Sequence, residues 1–396
     1  MEPTLNINKL RFKCFTETIW LVIIILITAT TTTYGANTMK AIYSLNRAVM
    51  PVLEPKIYNI KKIEMRGLMQ IPIDNAVATN RLPDTNAVTL IEFGDTKVKY
   101  KTIAKDFKND VGGGDIVYLP IFSEDTIGYS QTRGFNLLNI KTKKDQYYSI
   151  VGNTNYGINL IAVVNPEKRL FLFSVESYSS GNQIFRLMDL SSSEGTTLQE
   201  KRIEGPYAWI YADNTIFLRN VADSSLMAMN LKFENVDHPL VHFVNEHKKM
   251  FPEFILEAIH PTLPFAIIQY EDNGIDYASV ISWDKGYKNF QVHLIFKGNI
   301  LGGFKFSNDG KWVYFSESLL ELKKRDFILM PVDPKLPHYL GKPIYLGEVP
   351  DYPRNEAAMT RNPSGLVVVG RTHYGGDFLL IKWDFTKALP LIENGK

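Results

Sequence analysis

The sequence predicts an all-β fold, a seven-bladed β-propeller built from four-stranded antiparallel blades. Two observations lead to this prediction. Short apolar runs recur along the chain between Gly, Pro, Asn and Asp residues, and long amphipathic helical patterns are hard to find after residue 60. Seven turn-like stretches also recur at intervals of 41 to 55 residues. This interval, with several short strands in each unit, is typical of propeller blades.

The first 35 residues have the plan of a secretory signal peptide. Basic residues precede an apolar run at 19–27, and small residues follow near position 35. The run is shorter than the ~18–20 residues of a membrane span, but the threonines after it extend its apolar character. An uncleaved membrane anchor is therefore the alternative. Residues 36–55 are expected to be a linker, and residues 56–396 the propeller.

Composition limits where in the cell the protein is expected to work and which class of partner it is expected to bind. The chain has 396 residues, a formal net charge of +2 and no dense Lys/Arg block, so no nucleic-acid partner is indicated. Its single cysteine, Cys14, lies inside the predicted signal, which excludes disulfides, thiolate metal sites and cysteine nucleophiles from the mature chain. No Asn-x-Ser/Thr acceptor is present, because Pro363 interrupts the one that begins at Asn362. These features favour a bacterial protein, periplasmic or secreted.

Each blade is predicted from a polar turn and the apolar run that follows it. The turns begin at residues 82, 123, 165, 212, 260, 307 and 362. The runs are rich in β-branched and aromatic residues, as at 170–173 and 313–315, so both faces of these strands are expected to be covered. In a propeller such a turn joins the innermost strand of a blade to its second strand, which lies between the neighbouring blades.

The sixth turn carries the clearest signature. Asp309 offers side-chain hydrogen bonds and Gly310 a permissive φ, and residues 312–316 follow as an apolar strand. This stretch resembles the repeat of TolB-like, WD-type β-propellers, Phe-Ser-Pro-Asp-Gly-Lys, with Asn308 in place of the proline. The matching residues are Phe306, Ser307, Asp309, Gly310 and Lys311. The resemblance lies at the level of the blade, implies the fold and brings no catalytic residues with it.

The last blade requires a strand from elsewhere in the chain. It shows first, second and third strands near 357–360, 366–370 and 378–384, and the chain then nearly ends. The strand-like stretch 56–65 is predicted to supply the missing outer strand, which would leave no open sheet edge. The alternative assigns that position to residues 389–392.

A ligand site is expected where two sets of loops meet at one mouth of the channel. These loops combine Arg, acidic and aromatic groups with Gly, which suits a polar ligand or a peptide. The alternative is that they are ordinary solvated loops. The candidate ligand-binding residues are Arg133, Tyr156, Glu176, Tyr178, Glu271, Arg371 and His373.

Other motifs give weaker signals. His238 and His242 could lie on one face of a strand, but a metal site needs further ligands, so no metal is predicted. Residues 271–276 have the composition of a calcium loop, yet Asn273-Gly274 between two strand-like runs favours a tight hairpin. The triple glycine at 112–114 lacks the ending of a phosphate loop, and no catalytic motif appears. No cofactor is predicted.

The leading functional hypothesis is an exported, non-enzymatic propeller that binds a protein or another polar partner at its channel mouth. The second is a periplasmic or secreted enzyme, such as a hydrolase, lyase or oxidoreductase, with its site at the same mouth. Arg371, His373, Glu176 and Glu271 would be its candidate groups. The third is a subunit of a membrane-associated complex, held by an uncleaved N-terminal segment.

Overall fold

The chain folds as a ring of seven antiparallel sheets, which confirms the predicted seven-bladed propeller. We refer to the sheets as blades 1 to 7 in chain order. The computed structural model describes residues 40–60, 65–71, 73–81, 88–104, 125–130, 134–151, 156–177, 180, 182–205, 207–284, 286–298, 301–307, 309–319, 324–350, 357–372 and 377–393.

The strands follow one another outward within each blade, and blade 7 also takes the first strand of the chain. Blade 1 contains β2 (Met65–Gln70), β3 (Ala76–Arg81), β4 (Val88–Phe93) and β5 (Val98–Ala104); blade 2 contains β6 (Thr126–Ser130), β7 (Gly134–Asn139) and β8 (Asp145–Ser149). Blade 3 contains β9 (Tyr156–Asn165), β10 (Leu170–Ser177), β11 (Gln183–Asp189) and β12 (Thr196–Ile203); blade 4 contains β13 (Tyr207–Ala212), β14 (Thr215–Asn220) and β15 (Leu226–Met229). Blade 5 contains β16 (Ile255–Ile259), β17 (Phe265–Asp272), β18 (Ile275–Asp284) and β19 (Lys288–Gly298); blade 6 contains β20 (Leu301–Phe306), β21 (Trp312–Leu319), β22 (Lys324–Pro331) and β23 (Ile344–Pro350). Blade 7 contains β24 (Ala357–Thr360), β25 (Gly365–Arg371), β26 (Phe378–Asp384) and β1 (Lys56–Asn59).

The core of the protein lies between the blades. The described residues form seven buried apolar clusters, and each cluster joins two neighbouring blades. The second strand of a blade contributes to the clusters on both of its sides. In β10, Phe171 and Phe173 pack against blade 2 whereas Leu172 packs against blade 4. Continuous apolar runs therefore mark these strands in the sequence, because neither face meets water.

The ring closes between blades 7 and 1. Buried residues of both blades, among them Val77, Ile91, Val367 and Leu380, share one apolar cluster. The stretch 56–65 that was predicted as an outer strand contains β1, and β1 pairs antiparallel with β26. Residues 389–392, the alternative for this position, lie instead in a short helix, α2 (Leu389–Glu393).

Residues 40–55, expected to be a linker, pack along blades 5 and 6, and we call them the N-terminal strap. The backbone of Ile42 donates to the Leu294 carbonyl of β19 at 3.0 Å, and that of Leu53 donates to the Tyr345 carbonyl of β23 at 3.0 Å. Met50 and Leu53 are buried. Burial raises the pKa of Tyr43 to about 12, and its hydroxyl donates to the Leu340 carbonyl. The strap thus contacts blades 5 and 6, and the chain then continues into β1, which belongs to blade 7.

Blades 1, 3, 5, 6 and 7 each have four described strands, whereas blade 4 has a helix after its third strand. The described residues give it three strands, followed by α1 (Pro239–Glu246). The Asn245 side chain accepts a hydrogen bond from the Leu226 amide at 2.9 Å and donates to the Leu226 carbonyl at 2.8 Å. At Leu226, a side-chain amide therefore satisfies the edge of β15 as a neighbouring strand would.

The turns that join first and second strands contact one another on one end of the ring. His260 of blade 5 donates through Nε2 to the Gly310 carbonyl of blade 6 at 2.9 Å. Gly310 has φ of +66°, and a Cβ there would lie 3.0 Å from the His260 ring, so this close approach requires glycine. Asn362 of blade 7 donates to the Asp74 carboxylate of blade 1 at 3.1 Å. We call this end the turn rim.

The predicted signal segment, residues 1–35, lies outside the described residues, so its expected cleavage stays a prediction. Across the part of the chain that the structure describes, no helix has both the length and the apolar character to cross a membrane.

Candidate functional site at the channel mouth

The end of the ring opposite the turn rim holds the hairpin loops between second and third strands, and we call it the mouth rim. The second strands β10, β17, β21 and β25 run from the turn rim to the mouth rim. Glu176, Glu271 and Arg371 each occupy the seventh position of their strand. Three predicted site residues therefore lie at one level, on blades 3, 5 and 7.

The other four predicted site residues are only partly testable. Tyr156 begins β9, the first strand of blade 3, and the structure describes its backbone but not its side chain. Arg133, Tyr178 and His373 lie outside the described residues, so their place at the mouth stays a prediction.

The three charged residues do not converge. One blade separates Glu176 from Glu271, and another separates Glu271 from Arg371. Since packed sheets lie about 10 Å apart, two sheet spacings place each pair on the order of 20 Å apart. A general acid–base pair must reach the same substrate by hydrogen bonding, and a separation of this order does not favour such a pair between Glu176 and Glu271.

The local surroundings of Arg371 and Glu271 differ. Arg371 pairs directly with Phe378 across β25 and β26, and its guanidinium lies 4.3 Å from the centre of that ring. This cation–π contact orients Arg371 against its own blade. Glu271 is exposed at the end of β17, next to a hairpin in which Asn273 and Gly274 both have positive φ. The hairpin reading of this segment is confirmed, since both φ values match the tight turn that Asn-Gly favours.

An ion cluster holds the strap against blade 6 near the mouth rim. Arg47 of the strap forms ion pairs with Glu317 of β21, at 2.7 Å, and with Asp326 of β22. The Tyr345 hydroxyl donates to the second Asp326 oxygen at 3.0 Å. Burial raises the pKa of Asp326, and the charge of Arg47 opposes that rise. Sequence reasoning missed Arg47, because it lies in an expected linker and its contact with Glu317 spans 270 positions.

The channel wall between blades 5 and 6 carries a second charged pair. β16 and β20 are the first strands of their blades, and each has a bulge, near Glu257 and Gly303. The Glu257 carboxylate accepts from the Phe304 amide at 3.2 Å. Burial raises the pKa of Glu257 and lowers the pKa of Lys305, each partly opposed by the other's charge. Lys305 is exposed to solvent.

The histidines of blade 4 lie on α1 and its caps, so their expected place on a strand is wrong. Pro239 at the start of the helix and the His238 ring, which accepts from the Leu240 amide, favour a helix here. The His238 ring also packs edge-on against Phe217 and Tyr287, and His242 pairs with Asp237. Among the described residues, no group of three His, Cys, Asp or Glu side chains is placed to hold a metal ion.

A shallow groove lies beside α1, away from the mouth rim. Its volume is about 280 Å³, and its lining residues are Asp237, Pro239, His242, Phe243, Glu246 and Phe290. Phe243 and Phe290, which both line the groove, stack with their ring centres 4.7 Å apart.

Comparison with solved structures found several that are similar to this one. The structure is similar to that of an oligogalacturonate lyase solved in complex with manganese, with a TM-score of 0.53 and 12% sequence identity over 78% of this chain and 86% of that chain. The β-propeller domain of the trilobed protease from Pyrococcus furiosus gives a TM-score of 0.49 at 12% identity, over 81% of this chain and 95% of that one. Hydrazine synthase from Kuenenia stuttgartiensis gives 0.47 at 11% identity, over 82% and 97%.

The chain is a β-propeller. At 12% identity, the likeness to the lyase extends to the fold alone. The sequence matches no protein-family model and no curated protein. The narrower resemblance to TolB-like repeats therefore stays a prediction, carried by the turn at 306–311.

Proposed function

We propose that this protein is an exported β-propeller that binds a protein partner through the mouth rim and does not act as an enzyme there. The observation that carries the proposal is the arrangement of Glu176, Glu271 and Arg371. They lie at the same level of the ring on three blades, and an intervening blade separates each from the next. An extended polar partner contacts charges spaced in this way, whereas a small substrate between them would reach one at a time.

The fold supports this proposal through rigidity. Continuous apolar clusters fix each blade against its neighbours, so the loops of the mouth rim project from an ordered base. A partner that meets a preorganised surface spends less free energy on ordering it.

The proposal is tested by reversing one charge at the mouth and one at the turn rim. Glu271 is exposed at the mouth rim, and Glu167 is exposed in the β9–β10 turn at the opposite end. Affinity capture from the native host with the full chain, followed by mass spectrometry, identifies the partner. Glu271→Lys is expected to weaken capture of that partner, whereas Glu167→Lys retains it.

Both variants should unfold at the temperature of the wild type, because both side chains lie at the surface. Equal capture by Glu271→Lys and the wild type would show that the mouth rim is not the binding surface.

A further inference from the structure

Arg219 of β14 is a buried cation without an anionic partner. The residue is 9% exposed, and no carboxylate among the described residues forms an ion pair with it. Arg186 of blade 3, in contrast, pairs with Glu200 at 2.7 Å. A buried charge is costly unless a counter-ion and hydrogen bonds compensate for its lost hydration. A counter-ion from another molecule would remove this cost at Arg219.

Arg219 lies at the mouth end of the cleft between blades 4 and 5. It is the fifth residue of the second strand of blade 4, and residues 221–225 after this strand form a loop of the mouth rim. Phe217, two positions earlier, packs in an apolar cluster that blade 4 shares with blade 5, so Arg219 faces blade 5 as well. The Arg219 guanidinium lies 5.6 Å from the centre of the Phe254 ring, directly before β16 of blade 5. The cation is therefore close to the rim that the proposed partner contacts.

One hydroxyl of the mouth rim holds this guanidinium. Arg219 donates through Nη2 to the Ser224 hydroxyl at 3.0 Å. The Ser224 backbone has φ of +54°, and its amide donates to the Asn220 carbonyl at 3.0 Å. The loop thus places a neutral acceptor, and not a carboxylate, beside the cation.

The guanidinium keeps unused donors. Its five N–H groups need acceptors, and the Ser224 hydroxyl accepts one of them. Nε is enclosed by protein without an acceptor. Nη1 also has no acceptor among the described residues, but it is not enclosed, so it reaches solvent. An anion that arrives from the solvent side would meet both a free donor and an uncompensated positive charge.

Glu253 is the carboxylate whose charge acts on Arg219. Burial lowers the pKa of Arg219, and the charge of Glu253 partly opposes that change. Glu253 is exposed and forms no ion pair with Arg219, so its carboxylate stays in water. A guanidinium remains protonated at neutral pH, so the site carries a full positive charge.

We propose that Arg219 binds the carboxylate of an acidic side chain that a protein partner inserts at the mouth end of the cleft between blades 4 and 5. The inference rests on the proposed function and adds the chemistry of one contact to it. The planar fork of a guanidinium matches the two oxygens of a carboxylate. Arg186 shows the same pairing inside this chain, with Glu200.

The test uses the full chain and a blocked pentapeptide with one glutamate between two pairs of glycines. Its neutral counterpart carries glutamine, which has nearly the same shape. Isothermal titration calorimetry at low ionic strength measures the binding of both. The glutamate peptide is expected to bind at least ~10-fold more tightly, because a charge-assisted hydrogen bond contributes about that factor. Equal binding of the two peptides would overturn the proposal.

Acetate and inorganic phosphate are two further probes. Each carries negative charge but lacks a peptide backbone that contacts the rim, so each is expected to bind more weakly than the glutamate peptide. If either anion binds as tightly as that peptide, the site accepts a small anion and the assignment of a partner side chain is wrong.

Arg219→Met removes the charge and keeps an unbranched side chain. This variant is expected to weaken binding of the glutamate peptide at least ~10-fold. Its unfolding temperature should equal or exceed that of the wild type, because a buried charge without a partner is lost. A lower unfolding temperature together with unchanged peptide binding would show that Arg219 stabilises the blade and does not bind the carboxylate.

Arg186→Met is the matched control, since this arginine already has its partners in the chain. The change breaks the ion pair with Glu200 and leaves the Ile150 carbonyl without its donor, so the unfolding temperature should fall while peptide binding stays unchanged. A loss of peptide binding equal to that of Arg219→Met would contradict the proposal.

Arg219→Lys is the second variant, and it keeps a positive charge while it replaces the fork of donors by one ammonium group. It is expected to bind the glutamate peptide more weakly than the wild type does, yet still more tightly than it binds the glutamine peptide. A folded Arg219→Lys protein without that preference would show that the site does not recognise charge.

Failure of this inference and failure of the proposed function give different results. If Glu271→Lys abolishes capture of the native partner but Arg219→Met leaves both that capture and glutamate-peptide binding unchanged, the mouth rim remains the binding surface and the carboxylate assignment is wrong. If Arg219→Met weakens glutamate-peptide binding but neither variant affects capture of the native partner, Arg219 binds carboxylates and the proposed function fails.

Discussion

At the scale of single residues, one imidazole joins two blades. His260 accepts hydrogen bonds through Nδ1 from the Thr262 and Leu263 amides, at 3.2 and 2.9 Å, and donates through Nε2 to the Gly310 carbonyl. This arrangement requires the neutral ring with its proton on Nε2, because a protonated Nδ1 could not accept. Burial lowers the pKa of His260, and the hydrogen bond to Gly310 only partly opposes that shift.

The sign of the pH dependence follows from this shift. Near pH 6.5 the unfolded chain takes up a proton on this residue before the folded chain does, so the free energy of unfolding falls as the pH drops below about 6.5. The loss ends once the pH is below the lowered pKa of the folded state. His238, His293 and His338 add to the same trend, since burial lowers the pKa of each.

His260→Asn should reduce this pH dependence. Asparagine keeps an acceptor near the Nδ1 position but removes the titrating ring and the bond to Gly310, so stability at pH 8 should fall by about 1–3 kcal/mol. Urea unfolding at pH 8 and pH 5 measures both effects. Pro261→Ala, in the same turn, is the matched control and should keep the full difference between the two pH values. The same difference in His260→Asn would contradict the assignment.

At the scale of elements, the sequence predicts the turns, whose hydrogen bonds are local. It does not predict that a helix takes the place of the fourth strand in blade 4. The turn before β21 follows its sequence signature, since the Ser307 hydroxyl donates to Asp309 at 2.5 Å and the Trp312 amide donates to Ser307 at 3.0 Å. All of these groups lie within six positions. In blade 4, where a fourth strand would lie, the Asn245 side chain forms hydrogen bonds with Leu226, 19 positions away in the sequence. No short-range pattern distinguishes such an asparagine from a solvated one.

Asn245→Ala tests whether this side chain replaces a strand. The change leaves the Leu226 amide and carbonyl without their partner, so the free energy of unfolding should fall by about 1–3 kcal/mol. Hydrogen exchange at the Leu226 amide should also accelerate, since it reports local opening of β15. Glu246→Ala, one position further along α1, is the control and should change neither quantity. Unchanged exchange at Leu226 in Asn245→Ala would show that α1 covers this edge by other means.

The candidate site shows the same division between local and distant information. The end of each second strand follows from its apolar run, so Glu176, Glu271 and Arg371 could be placed at one rim from the sequence. That Glu271 and Glu317 face one cleft depends on which side of each strand meets which blade. Side chains alternate between the two faces of a strand, so this arrangement could have been predicted by assigning each residue of the apolar runs to one face of its blade.

At the scale of the whole molecule, the N-terminal part of the chain binds three blades together. The strap contacts β19 of blade 5 and β23 of blade 6, and β1 then pairs with β26 of blade 7. These contacts join positions about 250 to 330 apart in sequence. A propeller without such a tie leaves the edge of its last blade open.

Truncation separates the strap from β1. A chain that begins at Pro55 loses Arg47, Met50 and Leu53 but keeps β1. Two buried apolar side chains contribute about 2 kcal/mol each, and removal of Arg47 leaves two buried carboxylates without their cation, so the loss should be on the order of 5 kcal/mol or more. A chain that begins at residue 61 also loses β1 and exposes the edge of β26, so it should aggregate as well as unfold more readily.

Thermal unfolding and light scattering of these two chains, compared with a chain that begins at Lys40, measure the two contributions. The expected order of stability is Lys40, then Pro55, then residue 61, with aggregation confined to the shortest chain. Arg47→Met within the chain that begins at Lys40 should reproduce part of the stability difference between that chain and the one that begins at Pro55. Lys56→Met is the control and should not change stability, because Lys56 and Asp95 form an exposed pair at 3.6 Å. If the chains that begin at Lys40 and Pro55 unfold at one temperature, the strap does not stabilise the ring.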